Sequence, residues 1–220
     1  MTTPPSFGAA APHDDRPVLI TGAPLAEARA GVILLHGRGA DARDILGLAP
    51  EIDPGGVAFA APDAASHSWY PYSFLAPMEQ NEPGLSSGLR VIAALVSRFE
   101  AAGVAGERLL LVGFSQGACL ALEYAARNAR RLGGIAGLSG GLIGPPGTAR
   151  DYAGTFDGTP VFLGCSDSDP HIPAERVTES RNVFTRMGAS VTQRFYPGMG
   201  HGINEDELSF VRGMLADLAV

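Results

Sequence analysis

Residues 107–127 read ERLLLVGFSQGACLALEYAAR, and three local patterns follow one another within them. RLLLVG is a short, continuous apolar run of the kind that forms a strand buried on both faces. ACLALEYAAR has the spacing and residue types of a helix. Between them, Gly113-Phe114-Ser115-Gln116-Gly117 matches G-x-S-x-G, where glycines on both sides allow a sharp strand-to-helix turn that lifts a serine hydroxyl above the sheet. With 29 glycines in 220 residues the five-residue pattern arises by chance in about one such chain in four, so the flanking strand and helix carry the reading.

The same alternation extends outward in both directions. Strands are expected at 18–21, 31–36, 57–60, 108–113, 134–138, 160–164 and 191–196, and helices at 42–49, 84–102, 115–127, 173–187 and 205–218. Asp41 is placed to cap the first helix, Pro173 stands where a first-turn proline belongs, and Gly103 and Gly188 follow helical stretches. Strands alternating with helices predict an α/β fold, a mainly parallel sheet with helices on both faces. Residues 1–15 are Pro- and Ala-rich without periodicity and are expected to form a flexible tail, which discounts His13 chemically; residues 16–220 are expected to form one domain.

Composition excludes several functions. The formal charge is -7, which repels nucleic acid and anionic membrane surfaces. All 16 basic residues are arginine, so Schiff-base, pyridoxal-phosphate, Walker-A and Ser-Lys chemistries have no lysine to use. Two cysteines, Cys119 and Cys165, are too few for a disulfide framework. No secretory leader or membrane span is read, and a cytoplasmic location is the expectation.

A serine nucleophile needs a base. His201, in the glycine-rich loop YPGMGHG after the last expected strand, is the best placed of five histidines, against the alternative of an exposed loop residue. His171 is expected at the rim of the site at most, His67 has no comparable context, and His36, ending a strand beside Gly37, reads as a structural hydrogen-bonder. The acid that orients the base falls between serine and histidine in this chain order. CSDSDPHIP offers Asp167 and Asp169; Asp169 is preferred because Pro170 restricts its backbone, and Asp167 stays open. Backbone N–H groups of Gln116 and of Arg38, in the His36-Gly-Arg-Gly39 turn, are the expected oxyanion donors. Trp69, Tyr70, Tyr72 and Phe74 lie in a long connection and either line a substrate pocket or pack beneath the loop.

Other readings compete. Gly37-Arg-Gly-Ala-Asp-Ala42 satisfies G-x-G-x-x-A, with Asp63 as a ribose-binding acid, which describes an NAD(P)-dependent oxidoreductase. That reading leaves Ser115, Asp169 and His201 without a role. A non-catalytic binding protein on the same fold is a third. Asp167-Ser-Asp169 opens like a calcium loop, but Ile172 and Thr178 stand where Gly and Glu are needed, and no zinc-ligand spacing occurs, so neither metal nor cofactor is expected.

HGRGADARDIL, GFSQGACLALEYA, LSGGL, SDSDPHIP and FYPGMGHGI, in this order, resemble the small phospholipase/carboxylesterase family, which includes bacterial carboxylesterases and acyl-protein thioesterases. The resemblance covers the chain from about Val18 onward. It implies an α/β-hydrolase fold without a large lid domain, a Ser115-His201-Asp169 triad, the Arg38 and Gln116 oxyanion donors, a small ester or thioester as substrate, and often a homodimer. Arg38-Gly39-Ala40 departs from the apolar residue and Gly-Asp common in the family's thioesterases. SWYPYSF keeps the family's Trp as Trp69 but not the Asp that often follows. From these departures the Arg38 side chain is expected to meet an anionic or polar part of the substrate.

Overall fold

The computed structural model describes residues 11–219. Seven strands, β1 (Val18–Gly22), β2 (Ala30–Leu35), β3 (Val57–Pro62), β4 (Leu109–Phe114), β5 (Gly134–Leu138), β6 (Pro160–Ser166) and β7 (Ser190–Tyr196), form one sheet in the order β1-β3-β2-β4-β5-β6-β7. Only β1 runs antiparallel to its neighbour; the other five pairings are parallel, as expected. The helices are α1 (Ala42–Leu46), α2 (Ala49–Ile52), α3 (Gly84–Ala101), α4 (Gln116–Arg127), α5 (Ala174–Arg186) and α6 (Glu205–Leu218).

Residue alternation sorts the core into two layers. Ile33 and Leu35 of β2, with Leu109 and Leu111 of β4, face α3, α4 and α5, whereas Val32, Leu34, Leu110 and Val112 face α1, α2 and α6. Because both faces are covered, the central strands are apolar at every position, which is why they read as continuous runs. Among the described residues no large domain interrupts this order, and no helix is long and apolar enough to cross a membrane.

Several end signals act as expected. Asp41 Oδ1 accepts from the backbone N–H of Arg43 at 2.8 Å and of Asp44 at 3.1 Å, and Asp44 returns a bond to Asp41 N–H at 2.9 Å. Gly103 and Gly188 close α3 and α5 at φ +97° and +82°. The single helix expected at 42–49 is instead two, since Gly47 ends α1 and Pro50, which cannot sit in a helix interior, falls in the first turn of α2. Pro173 is the N-cap of α5 rather than its first residue.

Two expectations about side chains change. The tail read as 1–15 does not extend through 11–15, because His13 is 3% exposed; residues 1–10 lie outside the described residues. His13 Nε2 lies 2.8 Å from the Trp69 carbonyl and its Nδ1 accepts the Ala65 N–H at 3.0 Å, so one neutral tautomer satisfies both. Burial holds its pKa below the usual value. Trp69 is fully buried, its indole N–H donating to the His36 carbonyl at 2.9 Å between the rings of His13 and His36, and it is not among the residues that line the cavity beside Ser115. Trp69→Ala is expected to destabilise by about 3–5 kcal/mol, read as a lower urea midpoint at unchanged slope.

Candidate active site

In a parallel sheet the loops at the carboxyl ends of the strands converge, and the expected site residues sit there. Arg38 follows β2, Ser115 follows β4, Asp169 follows β6 and His201 follows β7. Ser115 has φ +55° and ψ -118°, a conformation that strains a side-chain-bearing residue and projects its hydroxyl from the turn. The flanking glycines are steric requirements. A Cβ on Gly113 would collide with the Gly117 carbonyl, and one on Gly117 with the Leu35 carbonyl. Gly113→Ala is therefore expected to disrupt the turn and leave less soluble, folded protein, as expression yield and circular dichroism would measure.

The three residues expected to act together are brought together. Ser115 Oγ lies 2.9 Å from His201 Nε2, and His201 Nδ1 lies 2.7 Å from Asp169 Oδ2. Asp169 Oδ1 accepts the backbone N–H of His171 at 2.8 Å and of Ile172 at 3.0 Å, which fixes the carboxylate plane. Burial pushes the Asp169 pKa up, but the His201 hydrogen bond and the two backbone donors outweigh it and hold the carboxyl below the usual range. A carboxylate there selects the tautomer with hydrogen on Nδ1, leaving Nε2 as an acceptor facing Ser115. Asp167 serves the neighbouring loop instead, its Oδ1 accepting Gly198 N–H at 2.9 Å. His201 also packs against Phe114, ring centroids 5.0 Å apart, and edge-on against His171 at 4.8 Å.

The backbone N–H groups of Arg38 and Gln116 have no acceptor among the described residues, and both residues line the cavity that contains Ser115. This cavity measures about 430 Å³. Tyr70, Tyr72 and Phe74 line it, as the pocket reading expected, whereas Trp69 lies behind them in the core. Cys119 and Ile172 line it as well, and sequence reasoning missed them. Cys119 was findable in hindsight, since it stands four residues after Ser115 and so on the same face of α4. His171, expected at the rim, lines the cavity beside His201.

The Arg38 guanidinium is not left free for a substrate anion. It donates to the carbonyls of Pro71 at 2.9 Å, Tyr70 at 2.9 Å and Tyr72 at 2.6 Å. The other candidates have structural partners. His36 lies between the Gly37 carbonyl and the Ala64 N–H, His67 Nδ1 lies 3.1 Å from the Ala40 carbonyl, and Asp63, the acid of the dinucleotide reading, accepts the Ala42 N–H at 2.7 Å at the start of α1.

Behind His201, Asn204 and Glu207 cap α6 reciprocally. Glu207 is fully buried, its Oε1 has no hydrogen-bond partner among the described residues, and burial pushes its pKa up to about 7. A carboxyl whose folded pKa is raised binds its proton more tightly when folded, so the contribution of Glu207 to stability falls as pH rises from about 4.5 to about 7 and then levels off. Glu207→Gln keeps an amide oxygen for Asn204 N–H and removes the ionisation. At pH 8 it is expected to be more stable than wild type by up to about 3 kcal/mol, with the advantage vanishing near pH 4.5, as urea titrations at the two pH values would measure.

A family model described as Phospholipase/Carboxylesterase matches residues 20–218. An acyl-protein thioesterase 1 from Gibberella zeae is 32% identical over 139 residues, covering 62% of this chain and 59% of that protein. One from Yarrowia lipolytica is 27% identical over 207 residues, covering 86% and 91%. The chain thus spans under two thirds of the first of these relatives and most of the second. A crystal structure of a phospholipase/carboxylesterase from Dyadobacter fermentans superposes with a TM-score of 0.89 at 42% identity, covering 95% of this chain and all of that one.

Proposed function

The chain belongs to the phospholipase/carboxylesterase family, and from that premise we propose that it is a serine hydrolase of carboxylic esters, with Ser115, His201 and Asp169 as its triad. The observation that carries the reading is the unbroken hydrogen-bonded chain from Ser115 Oγ through both ring nitrogens of His201 to Asp169. The α/β-hydrolase fold of the family accounts for the order in which these residues occur along the sequence.

In this reading, Nε2 of His201 takes the Ser115 proton as Oγ attacks the acyl carbonyl, and Asp169 stabilises the imidazolium that forms. The N–H groups of Arg38 and Gln116 receive the oxyanion; because they are preorganised in the fold, they need no reorientation as charge develops. His201 then protonates the departing alcohol or thiol, and water repeats the sequence on the acyl-enzyme to release the acid. Thioesters and lysophospholipids carry the same carbonyl and belong within the proposed substrate range. The aromatic wall of Tyr70, Tyr72 and Phe74 suits an apolar acyl group of modest size. The buried free thiols of Cys119 and Cys165 suit the cytoplasm, where we place the activity.

The test is hydrolysis of p-nitrophenyl esters from acetate to decanoate, with a fluorophosphonate probe read by intact mass. Turnover and a single label, both lost in Ser115→Ala, are the expected results. A well-folded wild type that neither turns over nor labels would overturn the reading.

A further inference from the structure

Both residues whose backbone N–H groups are assigned to the oxyanion also grip, through their side chains, one short segment of the pocket wall. Arg38 holds the carbonyls of Tyr70, Pro71 and Tyr72. Gln116 accepts the Trp69 N–H on Oε1 at 2.8 Å and donates from Nε2 to the Tyr70 carbonyl at 2.8 Å. The Tyr70 carbonyl therefore receives both, together with the Ser68 hydroxyl at 2.8 Å. From the far side Asn81, fully buried, accepts the Tyr72 N–H and donates to the Ser73 carbonyl, each at 2.9 Å.

The backbone around Arg38 needs such anchoring. Arg38 stands between Gly37 and Gly39, the latter at φ +83°, and glycines on both sides leave the direction of its N–H poorly determined by the chain itself. Gly39 N–H donates to the His67 carbonyl at 2.8 Å, which ties the turn on one side. The guanidinium ties it on the other. An oxyanion donor is effective only within a few tenths of an ångström and some 10–20° of its working direction, so what fixes the turn also sets the barrier.

We propose that the side chains of Arg38 and Gln116 are positioning residues that join the acyl-pocket wall at 70–72 to the two oxyanion N–H groups as one mechanical unit, so that the fit of the acyl group is expressed in turnover. This rests on the serine-hydrolase reading above. An acyl group seated against Tyr70 and Tyr72 immobilises the segment whose carbonyls anchor Arg38. One that stops short of the wall meets donors held by the Arg38 and Gln116 ties alone.

The experiment compares wild type, Arg38→Ala, Arg38→Lys, Gln116→Ala and the Arg38→Ala/Gln116→Ala double variant, with p-nitrophenyl acetate, hexanoate and hemisuccinate as substrates. A small methyl fluorophosphonate, which reaches Ser115 but barely touches the wall, is used for labelling. Losing one oxyanion donor costs on the order of 10²–10³ in turnover, so misaligning one is expected to lower kcat by about 10- to 100-fold in Arg38→Ala, with KM for acetate changed less than about threefold. Labelling is expected to slow by the same factor. The double variant should lose less than the product of the single losses, because both ties end on the Tyr70 carbonyl. Lysine keeps the charge but cannot span three carbonyls, so Arg38→Lys should recover little; it also serves as the comparison should Arg38→Ala fail to fold.

A raised KM with kcat and labelling within about twofold of wild type would overturn the proposal, since the wall would then only bind. A loss confined to the anionic hemisuccinate and restored by lysine would overturn it too, assigning the guanidinium to substrate charge. Absence of labelling in wild type is a different failure, that of the hydrolase reading itself.

Discussion

Ser115→Ala is expected to lower ester hydrolysis by about 10⁶ and to abolish phosphonate labelling, while circular dichroism and the thermal midpoint change little. The size of the loss follows because, among the described residues that line the cavity, no other nucleophile is hydrogen-bonded to His201. Cys119 stands one helical turn away and lines the same space, but burial pushes its thiol up to about 12, so almost no thiolate exists at neutral pH. What survives should be the weak catalysis of oxyanion donors acting on bound ester and water, on the order of 10³–10⁴ over the uncatalysed rate. Folding should persist because alanine occupies the same turn with the same Cβ, and Ser115 Oγ makes no cap bond to α4.

Asp169→Asn is expected to lower turnover by about 10⁴, whereas Asp167→Asn, two residues earlier, should change it less than about twofold. The contrast comes from what each carboxylate receives. Asp169 Oδ2 takes the His201 Nδ1 hydrogen at 2.7 Å, and its other oxygen is pinned by two backbone donors. An asparagine held in that cradle presents either an NH₂ that demands the opposite tautomer or an oxygen without the charge that stabilises imidazolium. The Asp167 side chain accepts the exposed Gly198 N–H and makes no bond to His201, and an asparagine oxygen also accepts that N–H. Single-turnover acylation rates across pH 5–9 would check both. Equal losses in the two variants would remove Asp169 from its proposed role.

Much of this molecule is legible in the linear chain because its signals are local. Strands buried on both faces must be apolar at every position, so 109–113 and 134–138 stand out without reference to anything distant. The turn at Ser115 is marked within five residues: a Cβ at 113 would meet the Gly117 carbonyl close to it in the chain, although the glycine at 117 is demanded by Leu35 of β2, far off in sequence. Asp169 was separable from Asp167 on the stiffness conferred by Pro170. The splitting of 42–49 into α1 and α2 was marked by Gly47 and Pro50, and outweighed by the helical spacing around them.

Loop side chains were another matter. His13 read as part of a tail, yet it bonds residues 52 and 56 positions away. Trp69 and Tyr70 are neighbours in an aromatic cluster that gives no sign of which faces the cavity, and only the packing of Trp69 between His13 and His36 separates them. The Arg38 guanidinium read as a group awaiting a substrate anion, and it finds three carbonyls 32–34 residues on.

The sequence by itself determined the element order, the mainly parallel sheet, and which serine, histidine and aspartate occupy the strand ends, because burial on two faces and a strained turn each impose composition where they occur. The tertiary structure alone decided which aromatic residues form the wall, what Arg38 and Gln116 hold, and that His13 is buried. Those outcomes depend on the direction of side chains in irregular segments, where no period constrains them and the partner that satisfies each polar group arrives from elsewhere in the chain.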